Sequence, residues 1–252
     1  AVVVTTIPPS ETPFQEAWEG SPHADATADA FTHWDEDGVI EIDCARCHST
    51  TGFHDFLGED GTAAGTVENE AALGTVIECQ ACHNAAAMAV DAVTFPSGEE
   101  MTGLGAEARC LLCHQGRESS DSVDTSITAA DVADLDTADE DLSFVNIHHA
   151  AAGATWHGGL VRGGYQYAGQ AYDTRFEHSP EHRVCFDCHD PHSLAIRVDR
   201  CAGCHVDVVD PDDTHDIRMA SSMAQDYDGD GDVTEGLYHE IQTLRETLLD
   251  LI

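Results

Sequence analysis

Every cysteine in this chain belongs to a Cys-x-x-Cys-His unit. The ten fall as Cys44/Cys47 before His48, Cys79/Cys82 before His83, Cys110/Cys113 before His114, Cys185/Cys188 before His189 and Cys201/Cys204 before His205. A repeat that uses up all ten cysteines is not an accident of composition. Structural zinc wants paired Cys-x-x-Cys knuckles and gives no reason for a histidine after every second cysteine. A thioredoxin-like redox pair would occur once, beside a βαβ pattern, and a disulfide framework would not repeat one spacing five times. The chemistry that needs this unit is c-type haem. Both thiols add to porphyrin vinyl groups, and the adjacent histidine takes the iron from the proximal side. Two residues between the cysteines allow a turn tight enough for both sulfurs to reach one ring edge. The sequence therefore predicts five covalent haems.

That load sets the fold class. With 252 residues the chain has roughly 50 per haem, only 6% of them aromatic and 21 of them glycine, so a conventional core would be thin. The expected architecture is mostly irregular, with short α-helices and a few short strands wrapped around a chain of haems. Residues 1–20 read as an extended arm, because Pro8, Pro9 and Pro13 oppose helix. Residues 21–252 read as a single five-haem unit. Within it, 115–143 is expected to be an acidic loop, although "ITAADVADL" is short-helix material. The glycine pairs at 158–159 and 163–164, with Tyr165 and Tyr167, predict a tight loop or β-hairpin. A C-terminal helix is expected over 238–252, with Leu237, Ile241, Leu244, Leu248 and Ile252 on one stripe. That stripe would pack on the body, or the natural chain would continue past Ile252.

Lysine is absent, and ten arginines face 48 acidic residues, for a formal charge of −38. Such a field excludes nucleic acid and anionic lipid as direct partners. It suits high salt, where screening is short-ranged, and it would also dock a cationic partner or mineral surface. No apolar stretch is long enough to span a membrane. Since c-type haem is attached outside the cytoplasm, an export signal already removed is implied, with Ala1 as a mature N-terminus and an extracellular or cell-surface location.

Sixteen histidines less five proximal ones leave eleven for five distal positions, which favours bis-histidine iron throughout. Met88, Met101, Met219 and Met223 could substitute, but histidine is in excess. Bis-histidine ligation lowers the potential relative to Met/His and closes the sixth position to substrate. Electron transfer is thus expected rather than catalysis. His192, three residues after proximal His189, is too close to cap the far face of the same iron and should ligate a neighbouring haem. The stretch "DYDGDGDVTEGL" reads as a calcium loop over 226–237. In it Asp226, Asp228 and Asp230 stand at positions 1, 3 and 5, Gly231 at the turn, and Asp232 offers its carbonyl. Position 12 is Leu237 rather than glutamate, so Glu235 is the substitute ligand.

Several segments together resemble the extracellular multihaem cytochromes of metal-reducing bacteria and some archaea. They are "SPHADATADAFTHWDEDG", "CARCHSTTGFHDFLG", "EARCLLCHQGRES", "NIHHAAAGAT", "GGYQYAGQAYDTRFEHS", "CHDPHSL" and "DYDGDGDVTEG". Some members of that family polymerise into cytochrome nanowires. The resemblance implies haems in alternating stacked and T-shaped pairs, and a distal ligand donated across a head-to-tail interface of a homopolymer. It also implies delivery of electrons to other cytochromes or to acceptors such as metal oxides. It points to His23, His33, His148, His178 and His192 as distal ligands, with His149 sharing the role of His148. His54, His157, His182, His215 and His239 are expected not to ligate. His23, behind a proline-rich arm, is the expected bridging ligand of a filament. A monomeric shuttle and a multihaem reductase with one open haem are the competing functions.

Overall fold

The structure is a computed structural model that describes residues 12–132, 134, 136–149, 151–175, 178–179, 182–218 and 223–251. Most of it is loop, interrupted by short helices and one two-stranded sheet, as the sequence predicts. The chain divides into two compact units, 1–185 and 186–252. The division falls after Cys185, inside the fourth Cys-x-x-Cys-His unit.

The first unit begins with α1 (Gln15–Glu19), α2 (Asp29–Thr32), α3 (Ile42–His48) and α4 (Thr50–Phe56). The expected arm is thus helical over part of its length; residues 1–11, with Pro8 and Pro9, lie outside the described residues. Pro13 precedes α1 rather than interrupting it, a position where proline does no harm to a helix. Ser49 both ends α3 and starts α4: its hydroxyl accepts from Gly52 N–H at 2.9 Å. Gly52 is required here, since a Cβ would overlap the Ala45 backbone.

Next come α5 (Cys79–Cys82), α6 (Ala85–Ala89), the antiparallel pair β1 (Ala92–Thr94) and β2 (Glu100–Thr102), and α7 (Ala108–His114). The hairpin register sets Val93 opposite Met101. Gly98, at φ 83°, supplies the turn. Around these elements Phe53, Val93, Phe95, Leu111, Leu112 and Val161 bury against alanines 81, 87 and 108. A smaller cluster joins Trp34, Ile40, Ala45 and Ala71. So many alanines make the thin protein core that the composition foretold.

The middle of the chain holds more helix than its composition suggests. The acidic segment 115–143 contains a ten-residue helix, α8 (Ser120–Ala129). A reciprocal capping box between Ser119 and Ser122 satisfies its first N–H groups, and that local signal outweighs the lack of aromatic residues. Of the tight loop or β-hairpin expected over 158–167, the described residues form the tight loop. There α9 (Ala152–His157) runs into a 3₁₀ turn, Gly158–Leu160. Gly158 and Gly159 let the chain pass close to Asp173, whose carbonyl accepts from Gly159 N–H at 2.7 Å.

The second unit holds α10 (Cys185–Cys188, whose first residue closes the first unit), α11 (Val198–Cys201), a 3₁₀ turn at Pro211–Asp216, and α12 (Leu237–Leu251). The C-terminal helix forms as expected, but its stripe does not pack on the body. Ile241, Leu244 and Leu248 are exposed, and the buried residue of α12 is Glu240. Ile252 lies outside the described residues. Among the described residues, no helix is long and apolar enough to cross a membrane.

One buried carboxylate holds the loop that follows α4. Asp55, 5% exposed, accepts from Glu68 N at 3.1 Å, Asn69 N at 3.0 Å and Asn69 Nδ2 at 3.2 Å. Asp55→Ala would leave these donors without their acceptor, at about 1–3 kcal/mol for each buried group. Chemical denaturation of the haem-loaded protein should therefore show a loss of about 2–4 kcal/mol, with new proteolytic cleavage between residues 58 and 71.

Candidate haem-binding sites

Cysteines at i and i+3 followed by histidine at i+4 share one face of a helical turn. Four of the units sit on or at such helices: on α3, at α5, on α7 and at α10. The fifth departs from them. Helix α11 stops at Cys201, and Cys204 and His205 lie beyond its end, after Gly203. Glycine is a poor helix former and has no side chain to pack there, so Cys204 is left exposed in a turn rather than set on a helix. The turn still keeps both cysteines near one another. Cys204 N donates to Cys201 O at 3.1 Å, and His205 N donates to the same carbonyl at 2.9 Å, the helical bond that the spacing requires. Cys79 is likewise exposed, while Cys44, Cys47, Cys82, Cys110, Cys113, Cys185, Cys188 and Cys201 are half-buried. None of the ten pairs in a disulfide. Gly116, at φ 84°, terminates α7 just beyond His114, the left-handed ending that glycine permits.

Two proximal histidines visibly carry the hydrogen bond that a ligand imidazole needs. His48 Nδ1 donates to Ala30 O at 2.8 Å, and His189 Nδ1 donates to Leu194 O at 3.0 Å. In that tautomer Nε2 has its lone pair free for a metal. Leu194 holds its carbonyl there at φ 62°, a conformation unfavourable for leucine and typical of functional positions.

Two of the histidines expected as distal ligands face proximal ones. His23 lies nearly parallel to His114, ring centres 6.3 Å apart and planes 18° apart. His148 faces His48 at 5.9 Å and 78°. Two imidazoles on opposite faces of one iron, each at a metal–nitrogen distance of about 2.0 Å, hold their centres about 6 Å apart. Burial, with His114 adding to it, lowers the His23 pKa to about 4. Burial and the neighbouring His48 lower that of His148. Both favour the neutral, ligating form. His148 is also strained, at φ 86°. These residues fit covalent haem: paired thiols on one turn, a proximal imidazole of fixed tautomer, and a second imidazole at the right separation.

His23 is held within its own chain. Trp18 Nε1 donates to Ile77 O at 2.9 Å, and Ile77 N donates to His23 O at 3.1 Å. The segment after Pro13 therefore folds onto its own chain. His33 is exposed at the end of α2, edge-on to buried Trp34 at 5.0 Å. His192 caps a turn in which Asp190 Oδ1 accepts from His192 N and Ser193 N, at 3.0 and 2.8 Å. His178 meets His182 at 6.0 Å, and His182 Nδ1 shares a 2.9 Å hydrogen bond with Ser179 Oγ. His149 lies beside His148. His54 contacts Gln80 O at 3.2 Å, His215 stacks on Tyr238 at 3.9 Å, and His239 pairs with Asp216 at 3.1 Å. His157 is fully buried, edge-on to Phe95. Met88 and Met223 are exposed, and Met219 lies outside the described residues.

The acidic loop is built as a run of aspartate turns. Asp226 accepts from Gly229 N and Gly231 N, Asp228 from Asp230 N, Asp230 from Asp232 N and Asp232 from Thr234 N. Carboxylate oxygens of Asp228, Asp230 and Glu235 lie within 4.8 Å of one another. Burial, then Asp230 and Asp228, push the Glu235 pKa up. Asp228 Oδ2 and Glu235 Oε1 are buried with no hydrogen-bond donor. Sequence reasoning missed Glu240, three residues beyond position 12. Its fully buried carboxylate accepts from Tyr227 N at 2.7 Å and Asp228 N at 3.1 Å, and pairs with Arg218 at 2.5 Å. Burial opposes its charge, but Arg218 and the two N–H groups keep its pKa below the ordinary value. Glu240 braces the loop from behind. The signal was a glutamate set between apolar Leu237 and Ile241 of α12.

Comparison with known proteins agrees with this geometry. Residues 29–115 match the family of cytochrome c7 and related cytochrome c. The chain is 28% identical over 219 residues to the C-type polyheme cytochrome OmcB of Geobacter sulfurreducens, covering 72% of this chain and 27% of that protein. It is 29% identical over 221 residues to the C-type polyheme cytochrome OmcC of the same species, covering 72% and 26%. The chain thus spans about a quarter of the length of these relatives. No solved structure matches. The match over 29–115 contains the first three Cys-x-x-Cys-His units, and the similarity to OmcB and OmcC is to proteins named as C-type polyheme cytochromes.

The brace generates its own expectation. Glu240→Ala removes the charge facing Arg218 and the acceptor for two N–H groups, so thermal unfolding of the C-terminal unit should shift downward. Glu240→Gln keeps an acceptor for Tyr227 and Asp228 and should restore part of that loss, read by hydrogen exchange across 226–240.

Proposed function

We propose that this chain is a five-haem electron conduit in which every iron has two histidine ligands. The observation that carries it is the opposition of His23 to His114 and of His148 to His48, at the separation a shared iron would impose. On this reading His48 and His148 hold the iron of the first Cys-x-x-Cys-His unit, and His114 and His23 that of the third. His83, His189 and His205 are the remaining proximal ligands, completed from His33, His178 and His192. The exposed thiols of Cys79 and Cys204 belong to the second and fifth haems, which would cover them. Each cysteine S–H adds across a vinyl C=C, sulfur to one carbon and hydrogen to the other, so attachment releases nothing. The bound haem supplies a one-electron iron couple. The chain's own residues fix the imidazole tautomers, exclude substrate from the sixth position and hold neighbouring rings close.

The same reading places the protein outside the cytoplasm, passing electrons to other cytochromes or to acceptors such as metal oxides. Its filament form is a homopolymer grown by head-to-tail contacts, which extend indefinitely unless the rotation closes. The inward position of His23 moves the bridging role to exposed His33. A monomeric shuttle is the second reading, favoured by the same intrachain position of His23. Loop 226–235 binds calcium or another hard cation through Asp228, Asp230 and Glu235, with Asp226 and the Asp232 carbonyl beside them. Support comes from the two buried oxygens that lack donors. Oxygen ligands in this number and sign suit calcium.

Electron paramagnetic resonance of the oxidised protein should show low-spin iron only. His23→Ala should convert one haem in five to high spin without disrupting any filament, and His148→Ala should do the same at a different haem. A high-spin signal in the unaltered protein would show an open iron and favour a reductase. Removing the cation by chelation at constant ionic strength should lower the thermal stability of residues 186–252 and leave the haem spectra unchanged. Unchanged stability would remove the cation site.

A further inference from the structure

The order of the cysteine units in space differs from their order in sequence. Helices α3 and α7 lie side by side, with Cys47 Sγ 3.9 Å from Cys113 O and Cys113 Sγ 3.9 Å from Arg46 O. The other cysteine of α7, Cys110, follows Glu107 by three residues, one helical turn. Glu107, 1% exposed just before α7, accepts from Cys185 N at 2.9 Å and lies 3.5 Å from Cys185 Sγ. The second cysteine segment is tied to the same helix by another route: Arg109 Nη1 donates to Cys82 O at 3.0 Å. The first cysteine segment meets the second through α4, where His54 contacts Gln80 O at 3.2 Å and Thr50 Oγ1 accepts from Glu78 N at 2.8 Å.

We infer that the haem on Cys110 and Cys113 is the junction of the electron path. Its two thioether corners abut the haem on Cys47 and the haem on Cys185, and the Cys79/Cys82 haem lies beside it as a branch. This rests on the five-haem reading. A thioether sulfur is bonded to the carbon next to the porphyrin ring, so cysteine segments that abut bring ring edges together, and electron tunnelling falls off exponentially with edge separation. The route from the first haem therefore runs to the third and then to the fourth, 66 residues after Cys47 at Cys113 and 78 residues after Glu107 at Cys185. The second haem is off that route, able to store an electron or to exchange with an outside partner. Glu107, paired with Arg175 at 3.6 Å, positions the junction by holding the Cys185 backbone against α7.

A cryo-electron microscopy map of the haem-loaded protein tests this directly. The expected result is thioether contact between Cys47 and Cys113 and between Cys110 and Cys185, with the first haem nearer to the third than to the second. A map with five bis-histidine haems whose first haem lies nearest the second would overturn the junction and leave the conduit standing. Missing haems or open irons would instead overturn the conduit itself. Soret circular dichroism gives an independent readout. Cys79→Ala/Cys82→Ala should keep the exciton couplet, whereas Cys110→Ala/Cys113→Ala should lose most of it. Equal loss in the two variants would contradict a junction at the third haem.

Discussion

A helical turn bearing two cysteines and a histidine has almost nothing of its own to bury, and this chain has five such segments. Each is stable only if something else fixes its neighbours. Here the protein provides narrow supports: a carbonyl on an imidazole Nδ1, an alanine-sized gap between α3 and α4, a glycine ending α7. The apolar clusters are small and rich in alanine. On the proposed bis-histidine reading, the pairing of a turn histidine with one from a distant loop through a shared iron is the dominant long-range constraint. His23 is 91 positions from His114, and His148 is 100 from His48, so each pair closes a loop that the thin core could not close alone.

The sequence was most informative where covalent geometry dictates the pattern. Spacing of i, i+3 and i+4 is both the haem signature and a helical face, and four of the units lie on or at helices. At the fifth, Gly203 lets the chain leave the helix before Cys204, although the Cys201 carbonyl still takes the His205 N–H. The irregular architecture followed from too little apolar material for each expected cofactor. The C-terminal helix was legible from its periodicity, but its environment was not. An apolar stripe implies burial only when a partner surface exists, and here Glu240 takes the inner side instead. The helix at Ser120–Ala129 was obscured by composition, although Ser119 and Ser122 carried its capping signal. The inward fold of His23 depends on Trp18 finding the carbonyl of Ile77, a contact between residues 59 apart. No local pattern announces that.

Charge shapes what surrounds this scaffold. A formal −38 without lysine means that cations, not anions, gather at its surface. Against that background Glu240 and Glu107 are informative exceptions. Both are buried, both accept backbone N–H groups, and both are paired with an arginine. Buried carboxylates held in this way fix position more than they add net stability. Each anchors an adjacent functional segment, the acidic loop in one case and the Cys185 turn in the other. The sparse arginines thus serve positioning.

The central claim is that all ten cysteines are consumed by five haems. Intact mass spectrometry of the purified, denatured protein, with thiol alkylation in parallel, measures this without reference to fold or activity. The account predicts a single species heavier than the polypeptide by five haem masses, with no alkylated cysteine. A chain with fewer haems, or with cysteines open to alkylation, would contradict it.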